Sequence, residues 1–186
     1  MRLWKIIAPL CVSSVMFAGS VFVSSNTPLY STASGGTQLG ELFVASTLKE
    51  LSKSGEFSEV EFMGFMPEGS TTVYEKAGVL MTGFEVANPS TLQIIGKQTD
   101  EYGSVWVNVS IKGFVKSSML SGDKMSVLKQ GETLFKGKCG TCHALHPETE
   151  FEPNVWPSIL EAMGAQAALS KNERYSIEKY LQNFKR

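Results

Sequence analysis

Five consecutive residues, Cys139-Gly140-Thr141-Cys142-His143, constrain this chain more than any other feature, because it holds only three cysteines and two histidines. Two thiols three positions apart, with an imidazole beside the second, suit two kinds of site. One is a zinc or redox CxxC. The other is a c-type haem attachment site, where the thiols add to the two vinyl groups and the imidazole reaches the iron. A structural zinc takes four ligands, yet His146 is the one further ligand-grade residue nearby and no second CxxC exists. A thioredoxin-like motif would follow a strand and open a helix, whereas the flanks of this motif read as helical on both sides. Residues i, i+3 and i+4 share a helix face, so a helical setting aims Cys139, Cys142 and His143 at one object. The expectation is one haem c, with Cys139 and Cys142 as covalent thioethers and His143 as an axial ligand.

The N-terminus supports that reading. Arg2 and Lys5 precede an uncharged apolar run from Ile6 to Val23, and no further charge appears until Glu41. Positive, then apolar, then small and polar is the order of an export signal. The run falls between secretory cores of about 7–15 residues and spanning helices of about 17–25. It is therefore either cleaved, after Ser20 or Ser25, or kept as an anchor. Cys11 follows Leu10 and reads as an apolar residue within this segment. Free paired thiols outside the cytoplasm tend to oxidise, which favours a cofactor on Cys139 and Cys142. A net charge of −1 gives no sign of a nucleic-acid partner.

Asp123 to Leu145 is expected to be one helix. Gly131, Phe135 and Cys139 recur every four residues along it. A glycine inside a helix costs about 1 kcal/mol relative to alanine, so Gly131 calls for a second helix packed close. Ser170 and Glu173 make a capping box, and Ile177, Tyr180, Leu181 and Phe184 form the apolar stripe of that partner. Between the two, a short helix from Trp156 to Met163 carries the last methionine of the chain. Met163 is the expected second axial ligand. His146 is its rival, but three residues from His143 it is expected to face solvent at a helix end. Trp156, flanked by two residues that fit a turn, Asn154 and Pro157, reads as a core or lid aromatic on the porphyrin edge. Glu148, Glu150 and Glu152, and the lysines at 124, 129, 136 and 138, read as solvated faces able to steer a partner. The GxxxF spacing before CxxCH and the aromatic-bearing last helix resemble the helix crossing of small class I cytochromes c, over roughly residues 124–186.

Residues 57–121 read as β. Val105, Val107, Val109 and Ile111 alternate with polar neighbours, the period of a half-buried strand. A weak internal repeat aligns residues 59–66, EVEFMGFM, with residues 108–115, NVSIKGFV, matching Val60 to Val109 and Gly64 to Gly113. Several short strands suggest an SH3-like module. No cluster of acid, base, nucleophile or metal ligand occurs there, so its expected role is docking or spacing.

CHALHP, then Phe151 and PNVWPSILEAM, resemble the C-terminal monohaem region of the membrane-anchored c-type cytochromes that serve trimethylamine-N-oxide reductase. The resemblance implies electron delivery to a periplasmic molybdenum enzyme that reduces an N-oxide or S-oxide in anaerobic respiration, with His143 and Met163 as iron ligands. Members of that family carry four further haems in a quinol-oxidising domain, each with its own CxxCH. This chain has one CxxCH, which implies a separate electron donor. The expected fold is multidomain, a small all-β SH3-like barrel or sandwich followed by an all-α class I-like cytochrome c domain. Its expected divisions are an export signal or anchor (1–25), a linker with a short helix (26–56), the β domain (57–121) and the monohaem domain (122–186). The expected function is single-electron transfer in the periplasm, not enzymatic catalysis. The alternative is a haem-containing redox or gas sensor whose β domain recognises a partner protein.

Overall fold

A computed structural model describes residues 19–184. Ten strands succeed one another: β1 (Ser20–Val23), β2 (Thr27–Tyr30), β3 (Gln38–Leu42), β4 (Thr47–Ser54), β5 (Phe57–Pro67), β6 (Thr72–Lys76), β7 (Val79–Val86), β8 (Gln93–Thr99), β9 (Val105–Lys116) and β10 (Leu120–Ser121). Helix α1 (Lys124–Leu134) runs into one π-wound turn (Phe135–Cys139), and α2 (Trp156–Gly164) and α3 (Lys171–Asn183) complete the order.

The two copies of the sequence repeat are the two longest strands, and they pair with each other. In the antiparallel β5–β9 ladder Val60 faces Gly113, Phe62 faces Ile111 and Gly64 faces Val109. Each copy's glycine thus sits opposite the other copy's valine. The glycines have a steric reason. A Cβ on Gly64 would stand 2.5 Å from the Tyr74 carbonyl oxygen, and one on Gly113 would stand 2.7 Å from that of Tyr30. These are the places where β6 and β2 come closest to the long strands, the usual use of glycine at a barrel corner. From them the path β5-β6-β7-β3-β2-β9 returns to β5 and closes a six-stranded barrel. Strand β4 pairs the first half of β5 and leads on to β1 and β10, while β8 flanks β9. Val60, Phe62, Val73, Phe84, Val109 and Val115 fill the interior. Of the four β9 residues expected inside, Val107, Val109 and Ile111 are buried, while Val105 is 46% exposed.

This architecture overturns the expected fold class. The molecule is mostly β, 40% strand against 27% helix, and not an SH3-like domain followed by an all-α class I-like cytochrome c domain. Residues 26–56, expected as a linker with a short helix, hold β2, β3 and β4. The β4 sequence TLKELSKS is rich in helix formers, but its ladder with β5 outweighs that local preference. The helices share a boundary with the barrel. Val44 and Ala45, just after β3, pack with Val127 and Leu128 of α1, and the Phe43 and Tyr175 rings lie 4.4 Å apart. On α3, fully buried Lys179 pairs with Glu75 of β6 at 2.5 Å.

The expected export segment and Cys11 lie mostly or wholly outside the described residues. The last part of the apolar run, Val21–Val23, belongs to β1, where Val23 is completely buried. Among the described residues no helix is long and apolar enough to cross a membrane.

Candidate functional site

The close approach expected at Gly131 is present. A Cβ there would overlap the Ser176 carbonyl on α3 and stand 2.8 Å from the Tyr180 Cβ. Ser170 and Glu173 make the expected capping box that starts α3. This crossing fixes Phe135, whose ring lies 6.3 Å from those of Tyr180 and Trp156. Phe135 in turn begins the π-wound turn that ends at Cys139.

The expected helix over 123–145 stops early. The α-helical part ends at Leu134, and residues 140–142 form a turn rather than helix. Gly137 and Gly140 each weaken helix continuation by about 1 kcal/mol, and π-winding is the kind of irregularity found where a helix is shaped by a site. The shared-helix-face argument for Cys139, Cys142 and His143 therefore does not describe this backbone. The three side chains still line one apolar cleft, a narrow one of about 100 Å³. The facing wall comes from α2 and the loop between α2 and α3, with Trp156, Ile159, Leu160, Met163 and Leu169. Met163 is 39% exposed.

Hydrogen bonds prepare several of these groups. The His143 ring nitrogen Nδ1 is 2.7 Å from the Ala144 carbonyl oxygen, which can only accept, so Nδ1 carries the proton and Nε2 keeps a free lone pair. The Thr141 hydroxyl donates to the Lys138 carbonyl at 2.8 Å and tightens the turn between the cysteines. Burial pushes the Cys139 thiol above its ordinary value, so it stays neutral. No disulfide joins Cys139 to Cys142. Trp156 is 1% exposed, yet its indole N–H has no partner among the described residues.

His146 departs from its expected place. It lines the cleft beside His143, their rings 5.5 Å apart, and its Nδ1 lies 2.9 Å from a Glu150 carboxylate oxygen. Sequence reasoning passed over this pair, although the four-residue spacing of His146 and Glu150 was a signal. The acidic run is also not uniformly solvated, since Glu148 accepts a 2.9 Å hydrogen bond from the Tyr180 hydroxyl. Lys129 and Lys136 both bind Glu132, and Lys138 reaches Glu173, so three of the four lysines are paired.

The donor set meets the demands of a c-type haem. Two thiols and an imidazole with a free Nε2 lie on one wall, a thioether on the other, and the lining between is apolar. The unpartnered Trp156 N–H offers a donor to a polar edge. Among the described residues no group of three or more His, Cys, Asp or Glu side chains gathers around a bare metal ion.

Comparison with known proteins leads to the same class. The chain is 29% identical over 153 residues to the cytochrome c-type protein TorY of Escherichia coli O157:H7, covering 78% of this chain and 42% of the relative. It is 21% identical over 160 residues to the cytochrome c-type protein TorC of Escherichia coli K12, covering 83% and 41%. The chain thus spans about two fifths of the length of these curated relatives. No solved structure matches it. The class is that of c-type cytochromes. Within it, the family model for the TorC third cytochrome c domain matches residues 17–120, and the chain belongs to that family. The model match covers the strands and stops before CGTCH. An alignment over 78% of the chain nevertheless reaches the helical segment, because residues 1–122 are only 122 of 186.

Proposed function

We propose that this chain carries single electrons through one haem c, attached by Cys139 and Cys142 and ligated by His143 and Met163. The observation that carries the reading is the cleft in which these four side chains meet across an apolar gap. Bound there, haem supplies reversible one-electron chemistry without a substrate. The protein's own residues hold the group by two thioethers, orient the imidazole through the Ala144 carbonyl, and exclude water with Phe135, Trp156 and Leu160. A thioether and an imidazole together would favour the reduced state and raise the potential relative to two imidazoles.

The acceptor is a periplasmic molybdenum-dependent reductase of N-oxides or S-oxides. Support comes from the sequence resemblance to cytochromes that serve trimethylamine-N-oxide reductase, and from the likeness to TorY and TorC. Electrons arrive from a separate donor protein. The segment before β1 directs export and either leaves or tethers the protein to the inner membrane, Ser20–Val23 staying in the barrel sheet, and residues 122–186 carry the haem.

The test uses the matured full-length protein. Acid–acetone extraction should leave the colour on the chain. The ferric spectrum should show an iron–thioether band that Met163→Ala abolishes, with a fall in potential, while His146→Ala retains it. Colour in the solvent overturns covalent attachment. Loss of the band in His146→Ala alone moves the sixth ligand to His146.

A further inference from the structure

Helix α2 carries Trp156 at its start and Met163 near its end, so whatever holds its N-terminus sets both. The loop before it is fastened to the barrel by Asn154. The Asn154 Nδ2 donates to the Gly78 carbonyl at 2.8 Å, and the Leu80 amide donates to Asn154 Oδ1 at 2.8 Å. One side-chain amide thus pairs with backbone groups at the tip of the β6–β7 hairpin, much as a neighbouring strand would. Gln182 of α3 closes the same junction, donating to the Leu80 and Pro153 carbonyls at 3.0 and 3.2 Å. Asn154 lies two residues before Trp156, which is buried in the cleft, and α2 is nine residues long. A short helix moves as a rod of about 1.5 Å per residue, so release at its start displaces Met163 as well.

We propose that Asn154 is a positioning residue for the sixth iron ligand: by locking the start of α2 to the β6–β7 hairpin, it holds the Met163 thioether toward the cleft. The barrel then acts on the site by fixing one of its walls, beyond any role in docking. The inference rests on the reading of Met163 as a ligand. No group whose protonation changes is involved, and Asn154 itself need not touch the cofactor.

The test is a competition at the ferric iron in the full-length, haem-loaded protein. Azide displaces a methionine that has been loosened, so its apparent affinity reports how firmly Met163 is held. Two hydrogen bonds of ordinary net strength are lost in Asn154→Ala, and azide affinity should rise about tenfold. Asn154→Asp keeps an acceptor for the Leu80 amide but sets a carboxylate oxygen against the Gly78 carbonyl oxygen, so its rise should be at least as large, about tenfold. Lys171→Ala removes a different barrel–helix contact, the ion pair with Glu41, and should leave azide affinity within about twofold. The iron–thioether band should weaken in the same order.

Azide affinity in Asn154→Ala within about twofold of the parent, with the thioether band intact, overturns the proposal. A lower melting temperature without a change in azide affinity overturns it too, since that is support of the fold alone. If Asn154→Ala does not accumulate, Asn154→Asp decides by the same criterion. Absence of the thioether band from the parent protein instead removes the Met163 reading, and this proposal falls with it.

Discussion

Gly131→Ala should destabilise the protein, although in an exposed helix interior the same change stabilises by about 1 kcal/mol. The added Cβ would overlap the Ser176 carbonyl oxygen and stand 2.8 Å from both the Ser176 carbonyl carbon and the Tyr180 Cβ. Carbon–carbon contacts settle at about 3.5–4.0 Å, so α1 and α3 must part by roughly 1 Å. The obstacle is backbone, which no rotamer change can move. Nor is α3 free to retreat, since its other side is held by Lys179–Glu75 and by Gln182 on Leu80. The separation would be felt by Phe135, Ile177 and Tyr180, which pack together beneath the cleft. Overpacking of this kind costs about 1–3 kcal/mol. A gap of about 0.5–1 Å also forfeits a quarter to a half of each dispersion contact across it. After the helix-propensity gain is subtracted, the net loss should be about 1 kcal/mol. That corresponds to roughly 2–4 °C in melting temperature for a chain of this size. Guanidinium unfolding of the haem-loaded variant should show a lower midpoint at an unchanged slope. An equal or higher midpoint would refute the claim that the α1–α3 crossing requires glycine.

Other consequences are open to equally direct measurement. Cys139→Ala and Cys142→Ala should each leave one thioether and shift the pyridine haemochrome band. The double variant should lose its haem to acid–acetone, and retained colour would sink the attachment scheme. Glu178, 2% exposed, is pushed up to about 7, mainly by burial, against the pull of Arg174 and Lys179 and with some help from Glu161. An unfolded carboxyl titrates near 4.5, so between these values the folded chain keeps a proton that the unfolded chain has lost. Stability is therefore highest at the acid end of that window and falls as pH rises to about 7, by roughly 3 kcal/mol. Glu178→Gln should flatten this fall in urea titrations from about pH 5 to pH 8, and an unchanged pH profile would count against it. Glu75→Ala should cost about 3–5 kcal/mol by leaving Lys179 buried without its partner. Adding Lys179→Met should recover most of the loss, and failure to recover would show that the buried charge is not the cause.

The local signals in the sequence carried different weights. The Ser170–Glu173 capping box and the close approach at Gly131 depend on residues a few positions apart or on one missing side chain, and both are present as expected. Helix α2 ends at Gly164, one residue past its expected end. The repeat was visible too, but its meaning was not: only the ladder reveals that Val60 and Gly113 face each other. What the sequence hid was non-local. In β4 a helix-favouring composition yields to β5, and nothing in TLKELSKS announces that partner. The turn after Leu134 likewise depends on how the cleft is shaped, not on the i, i+3, i+4 pattern that suggested a continuous helix. Asn154 looked like a turn residue because its partners, Gly78 and Leu80, lie more than seventy positions away.

The relation of barrel to helices rests on a shortage of core in the helical segment. Beneath the cleft the buried apolar cluster consists of Phe135, Trp156, Leu160, Ile177, Tyr180 and Leu181, little for a segment of this length, because small units rarely build a sufficient core alone. A haem in the cleft would cover one side of that cluster. The barrel covers another, and it does so with groups that are costly to expose or to leave unpaired. Val127, Leu128 and Tyr175 need Val44 and Ala45, and Lys179 needs Glu75. Helix α3 is buried on both sides in consequence, Ile177 and Tyr180 toward the cleft and Lys179 toward β6. A displacement of the barrel therefore reaches α3, which packs beneath the cleft, and, through Asn154, the start of α2, so the α2 wall of the site and its support both answer to the strands. The strands matched by the family model and the cleft outside that match are, in physical terms, parts of one device.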